Sequence, residues 1–166
     1  MPFAAAVLLF VLDRITKDLI KAHVSLWDAW AVIPGLVNIV HTENPGIAFG
    51  MLANLENPWR NVLLIGFSML VLAIISAVLL RMGGQGMLLR MGLALVMGGA
   101  LGNLFDRIVH GTVTDFVEFH VGEHYFPAFN VADSAITIGA CLLLLDMWYS
   151  KERKSHTAQV PREAPR

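Results

Sequence analysis

Two aspartates in this chain stand where a carboxylate is costly to keep, and side by side they could do chemistry. Both lie in the stretch Thr112–Asp133, TVTDFVEFHVGEHYFPAFNVAD, between two long apolar segments. The first part of that stretch alternates with a period of two, as a strand does. On this reading Thr112, Thr114, Glu118 and His120 share one face, and Val113, Asp115, Val117 and Phe119 share the other. Asp115 is then the carboxylate on an otherwise apolar face. Asp133 follows Phe129-Asn130 and opens the last apolar segment. Two carboxyls held together cannot both ionise cheaply, so such a pair shares a proton near working pH. One can take a proton from a water that attacks an amide carbonyl while the other protonates the carbonyl oxygen. Each aspartate also has a plainer reading. Asp133, ahead of Ser134 and an apolar run, fits a helix N-cap, and Asp115 fits a strand-end residue paired with Arg107. The two plain readings together still leave a carboxylate on an apolar face.

Other motifs mislead. His120-Val121-Gly122-Glu123-His124 matches the H-x-x-E-H pattern of metallopeptidases. That pattern needs a helix to bring both histidines to one face, whereas here Gly122 interrupts it and Pro127 follows closely. No metal and no cofactor is expected. Ile138-Gly139-Ala140-Cys141 looks like a lipoprotein processing box but lies inside the last apolar segment, so Cys141 reads as a packing residue. As the single cysteine it excludes an internal disulfide. Ser134 has no histidine and aspartate in a nucleophile-elbow context.

The elements that must position the aspartates follow from composition. Of 166 residues, 56% are hydrophobic and 15% charged, with mean hydropathy +0.62; a soluble domain carries about 25% charged residues. The chain therefore reads as a mainly α membrane protein, one domain over 1–150, with spans at about 3–20, 61–80, 87–107 and 131–149. Phe3–Leu12 reads as the first half of a span, not a removable signal, because Asp13, Arg14, Lys17 and Asp18 stand where a cleavage site would be. Asp13 and Lys17 are four residues apart, as are Arg14 and Asp18. Arg14, Asp18 and Lys21 fit an interfacial helix end, while Asp13 and Lys17 fit either that or an inward brace for a polar site.

Residues 21–60 do not span. Ile33-Pro34-Gly35 is turn chemistry, Leu36–Val40 fits a short strand, and Glu43–Gly50 fits a shaped loop in which Asn44 offers an amide and Gly46 allows close approach. In the third span Gly98 and Gly102 form a close-packing pair, and Gly99, Asn103 and Asp106 lie on one stripe that needs a polar interior. The 81–90 loop and the 151–166 tail carry seven Lys or Arg, against three in 21–60 and 107–131. Basic residues stay cytoplasmic, so both termini are expected there and the tail is expected to be a disordered basic end. That topology gathers Asn44, Asn103, Asp106, Asp115 and Asp133 on the opposite side. No basic cluster outside the tail suits nucleic acid.

Five stretches carry a resemblance: Asp13-Arg-Ile-Thr-Lys17, Asn44-Pro-Gly-Ile-Ala-Phe49, Gly98-Gly-Ala-Leu-Gly-Asn-Leu-Phe-Asp-Arg107, Val113-Thr-Asp-Phe116 and Phe129-Asn-Val-Ala-Asp133. In this order they resemble the lipoprotein signal peptidases (signal peptidase II), an aspartic peptidase family of bacterial inner membranes. The resemblance implies four transmembrane helices with a small periplasmic β-rich cradle over 21–60 and 108–130. It implies Asp115 and Asp133 as the catalytic dyad, supported by Asn44, Asn103, Asp106, Arg107, Asn130, Asp13 and Lys17; Gly46 is added to these from its place in the loop beside Asn44. It implies a prolipoprotein substrate bearing diacylglyceryl-cysteine, cut just before that cysteine without a metal. The protein is expected to be a monomer in contact with membrane lipids. A proton-coupled transporter would also bury Asp, Asn and Arg, but it would be expected to show internal repeats and broken helices at mid-membrane. The sequence shows no repeat, and its polar residues gather at one side.

Overall fold

The computed structural model describes residues 2–46, 59–83 and 86–159. It contains α1 (Pro2–His23), β1 (Ala29–Ile33), β2 (Val37–Asn44), α2 (Trp59–Arg81), α3 (Met87–Val109), β3 (Val113–Val121), β4 (His124–Tyr125) and α4 (Val131–Gln159). Ile47, Ala48 and Phe49 lie outside the described residues.

α2 has no charged residue between Asn61 and Leu80 and turns Val62, Leu63, Phe67, Leu70 and Ile74 outward. Its 23 residues reach about 34 Å at 1.5 Å per residue, enough for the roughly 30 Å hydrocarbon core. Among the described residues, three helices are long and apolar enough to cross a membrane: α2, α3, and α4 over Val131–Lys151. α1 has similar length, but its second half carries Asp13, Arg14, Lys17 and Asp18. α4 continues as helix to Gln159, into the tail expected to be disordered.

α3 is the central helix and packs on α1, α2 and α4. Its glycines allow this. A Cβ on Gly98 would come within 2.8 Å of the Ala6 carbonyl oxygen of α1, and one on Gly99 would collide with the Ala132 carbonyl oxygen of α4. Gly92 and Gly139 face each other across the same α3–α4 seam. Packing between helices in lipid depends on such close approach, because lipid supplies no hydrophobic drive between them. Gly99→Ala should therefore lower the thermal midpoint in detergent, at a cost of about 1–3 kcal/mol. Gly66→Ala on the open face of α2, where a Cβ meets nothing within 4 Å, should leave it unchanged or slightly raised.

The four strands form one antiparallel sheet in the order β1-β2-β3-β4. β2 pairs Thr42 with Asp115 and Asn44 with Val113 after an irregularity that follows Ile39. The strand therefore runs on to Asn44, which ends β2 instead of lying in a loop. β1, which no alternation announced, is exposed along its whole length. His120 to His124 straddles the β3–β4 turn, with Gly122 at φ 59°. The helix that the H-x-x-E-H pattern requires is absent there. α3 ends on Gly111 at φ 79°, whose N–H returns to the Arg107 carbonyl. This left-handed stop suits glycine and launches β3 directly beside the end of α3.

Candidate active site

α4 starts at Asn130, which caps it. The Asn130 Oδ1 accepts the Asp133 N–H at 2.9 Å, and the Asp133 Oδ2 accepts the Asn130 N–H at 3.3 Å. This is a reciprocal capping box with asparagine first and aspartate three residues on. The reading of Asp133 as the N-cap is thus corrected: Asn130 caps, and Asp133 sits in the first turn. The capping holds the Asp133 carboxylate rigid, and its Oδ1 accepts from the Asn103 side chain of α3 at 2.8 Å.

Asp115 approaches from β3 and is 3% exposed. Its Oδ1 accepts from the Asn130 side-chain amide at 2.7 Å and its Oδ2 from that of Asn44 at 3.0 Å. Asn44 is itself oriented by the Gly46 N–H, which donates to its Oδ1 at 2.9 Å. Asn130 therefore touches both aspartates, through its Nδ2 on Asp115 and its backbone on Asp133. Burial pushes the Asp115 carboxyl up, and the nearby Asp133 pushes it further, to about 7, against the pull of the Asn44 and Asn130 amides.

Both aspartates line a cleft of ≈ 920 Å³, with Asn44, Gly46, Asn103 and Arg107 around them and Phe126, Phe129 and Ile136 on its walls. The ion pair of Asp115 with Arg107 does not form. Among the described residues, the Arg107 guanidinium donates to the Asn103 carbonyl at 3.3 Å and the Gly46 carbonyl at 3.2 Å. It ties the end of α3 to the end of β2 and leaves the carboxylates to the asparagines.

A buried ionic cluster backs the cleft. The Lys17 ammonium lies 2.8 Å from Asp13 Oδ2 and 2.8 Å from Asp106 Oδ2, with all three side chains 0% exposed. It also donates to Asn103 Oδ1 at 3.1 Å. Asp13 Oδ1 accepts the Ala132 N–H at 3.0 Å, which ties α1 to the first turn of α4. Of the two readings of Asp13 and Lys17, the inward one holds. Arg14, expected at an interface, also turns inward: it bonds Asp106 and lies 4.7 Å over the Phe105 ring. Asp18 remains exposed.

The sequence reading missed Glu43. Its carboxylate accepts from Thr112 at 2.6 Å and Thr114 at 3.1 Å, and Lys21 lies 3.8 Å away. Burial raises Glu43, but the threonine hydroxyls, Lys21 and His41 outweigh it and hold its carboxyl below the usual range. It pins β2 and β3 to the end of α1. Glu43 faces Thr114 in the ladder, a pairing that the sequence does not display. Among the described residues no group of three or more His, Cys, Asp and Glu side chains is placed to hold a metal.

The chain as a whole is similar to known proteins. The family model for signal peptidase (SPase) II matches residues 5–149. The chain belongs to the signal peptidase II family. The lipoprotein signal peptidase of Solibacter usitatus is 40% identical over 156 residues, covering 94% of this chain and 95% of that protein. That of Pseudomonas aeruginosa is 45% identical over 147 residues, covering 88% and 86%. A solved bacterial membrane enzyme superposes with a TM-score of 0.81 at 27% identity, covering 99% of this chain and 94% of that one. This signal peptidase II chain is thus a bacterial peptidase that processes lipoproteins, and its apolar helices make it a membrane protein.

Proposed function

We propose that the chain is a membrane-embedded aspartic endopeptidase. It removes the signal peptide from prolipoproteins that already carry diacylglyceryl on their cysteine, cutting just before that cysteine. One observation carries the reading: Asp115 and Asp133 enter one cleft from separate elements, and three asparagines orient all four carboxylate oxygens. In the reaction one carboxylate takes a proton from the attacking water, and Asp115, with its raised affinity for a proton, delivers one to the scissile carbonyl oxygen. The tetrahedral diol collapses, the C–N bond breaks, and the cysteine nitrogen leaves with a proton returned by the dyad. Asn44, Gly46 and Arg107 line the same cleft, and in this reading they line up the substrate backbone.

We place the protein in the bacterial inner membrane with four spans and both termini cytoplasmic. α1 is the fourth span, because Asp13, Arg14 and Lys17 turn their charge onto α3 and α4 and its outer face stays apolar. The cleft then opens at the periplasmic face, at the depth where a lipidated cysteine lies.

Purified protein in detergent should cleave a diacylglyceryl-modified prolipoprotein with or without a chelator and leave the unlipidated precursor whole. Equal cleavage of both precursors would refute the substrate assignment, and loss of cleavage in chelator would refute the metal-free mechanism. The pH profile gives a second test. Asp115 must be protonated to act as the acid, so turnover should fall about tenfold per unit above roughly pH 7. Stability follows the same group. The folded chain holds a proton there between the ordinary value of 3.8 and about 7, where the unfolded chain does not. The stabilisation from this group is therefore complete below that window and is lost as pH rises through it. Thermal midpoints in detergent from pH 4 to 8 should show that decline in wild type and lack it in Asp115→Asn.

A further inference from the structure

Every amide that touches the dyad is oriented by a group that can only donate. The Gly46 N–H fixes Asn44, and the Asp133 N–H fixes Asn130. For Asn103 the fixing donor is an ammonium, Lys17, on another helix. Lys17 has no acceptor, so it holds Asn103 Oδ1 toward α1 and forces Nδ2 toward Asp133 Oδ1. The second Asp133 oxygen accepts the backbone N–H of the capping residue Asn130, and the carboxylate sits in the first turn of α4, where the helix dipole also favours a negative charge.

We propose that Lys17 is a positioning residue that acts through Asn103 to present Asp133 as the general base, leaving Asp115 as the carrier of the shared proton. The inference rests on the peptidase reading and adds to it the group that holds Asp133 in the role of base. A lysine that only neutralised Asp13 and Asp106 would have no need of the contact with Asn103. Asn103 also accepts from the Asn130 amide at 3.3 Å, so the relay and the cap are joined at one oxygen. The chain of contacts runs from α1 through α3 to α4, and its geometry survives only if all three helices keep their depth relative to one another.

The test separates neutralising charge from orienting Asn103. Lys17→Met combined with Asp13→Asn removes one positive and one negative charge and leaves Asp106 with Arg14. The amide oxygen introduced by Asp13→Asn still accepts the Ala132 N–H. The proposal expects this double variant to recover most of the thermal midpoint lost by Lys17→Met, while kcat on the lipidated precursor stays down about 100-fold and KM hardly changes. Asn103→Ala should lose kcat to a similar degree, and all three substitutions together should lose no more than either set. Recovery of both midpoint and kcat in the double variant would overturn the proposal, as would losses that multiply. Asn103→Leu is the second arm, decisive if the double variant does not fold. It keeps the side-chain volume, leaves Lys17 to Asp13 and Asp106, and offers no N–H to Asp133, so it should fold and lose kcat about 100-fold; near-wild-type kcat would overturn the relay. Absence of cleavage by wild type would sink the peptidase reading and the relay together, whereas wild-type cleavage with any of the contrary variant results would sink the relay alone.

Discussion

Asp115→Asn and Asp133→Asn should each reduce kcat by about four orders of magnitude in a protein that still folds. A loss of that size follows from the proposed dyad acting as one unit. An asparagine at either position can neither hold the shared proton nor accept it from water. Combining the two substitutions should cost little more than either alone, because the first already disables the pair. Folding should survive for structural reasons. In Asp133→Asn the new amide oxygen can still accept from Asn103 or from the Asn130 N–H. Asp115→Asn removes a buried carboxyl that burial and Asp133 disfavour, so its thermal midpoint should equal or exceed that of wild type at neutral pH. Steady-state kinetics and thermal unfolding on the same preparation check both halves of this expectation.

Lys17→Met alone carries the second large effect, on stability. It leaves Asp13 and Asp106 facing each other with no exposure to water and with the ammonium between them gone. Breaking a buried pair by removing one partner costs about 3–5 kcal/mol, because a charge stays behind uncompensated. Asp106 keeps Arg14, while Asp13 keeps only the Ala132 N–H among the described residues. The loss should therefore fall mainly on Asp13, and adding Asp13→Asn should restore most of it. Unfolding monitored in detergent for the wild type, the single variant and the double variant decides this. Gly102→Ala reports on the same place from the other side, since a Cβ there would collide with Asp13 Oδ2.

Much of this site was legible because lipid-facing segments make every polar residue conspicuous. Asp115 among valines and phenylalanines, and Asn103 and Asp106 on a glycine stripe, have no bland neighbours to hide among. What stayed hidden depended on choices between near-equivalent groups. Asn130 and Asp133 are both good capping residues three apart, and only the backbone shows that the helix begins after Asn130. Arg14 is adjacent to Asp13 in sequence and by spacing is a surface partner for Asp18. It keeps Asp18 at 3.4 Å through one nitrogen but also turns inward, because α3 places Asp106 within reach of the other and Phe105 beneath it. Arg107 reads as a carboxylate partner, yet its fork is taken by two carbonyls that the end of α3 and the end of β2 leave open. β1 reads AWAVI, without alternation, and is held by pairing with β2 rather than by burying a face. Glu43 reads as part of a loop because the irregularity after Ile39 hides the continuation of β2.

The most direct test of the dyad compares wild type, Asp115→Asn and Asp133→Asn on one diacylglyceryl-modified prolipoprotein, in detergent, with products identified by mass. Wild type should make one cut, immediately before the lipidated cysteine, and neither folded variant should give product. Cleavage at that bond by either variant at a rate near wild type would rule out the dyad.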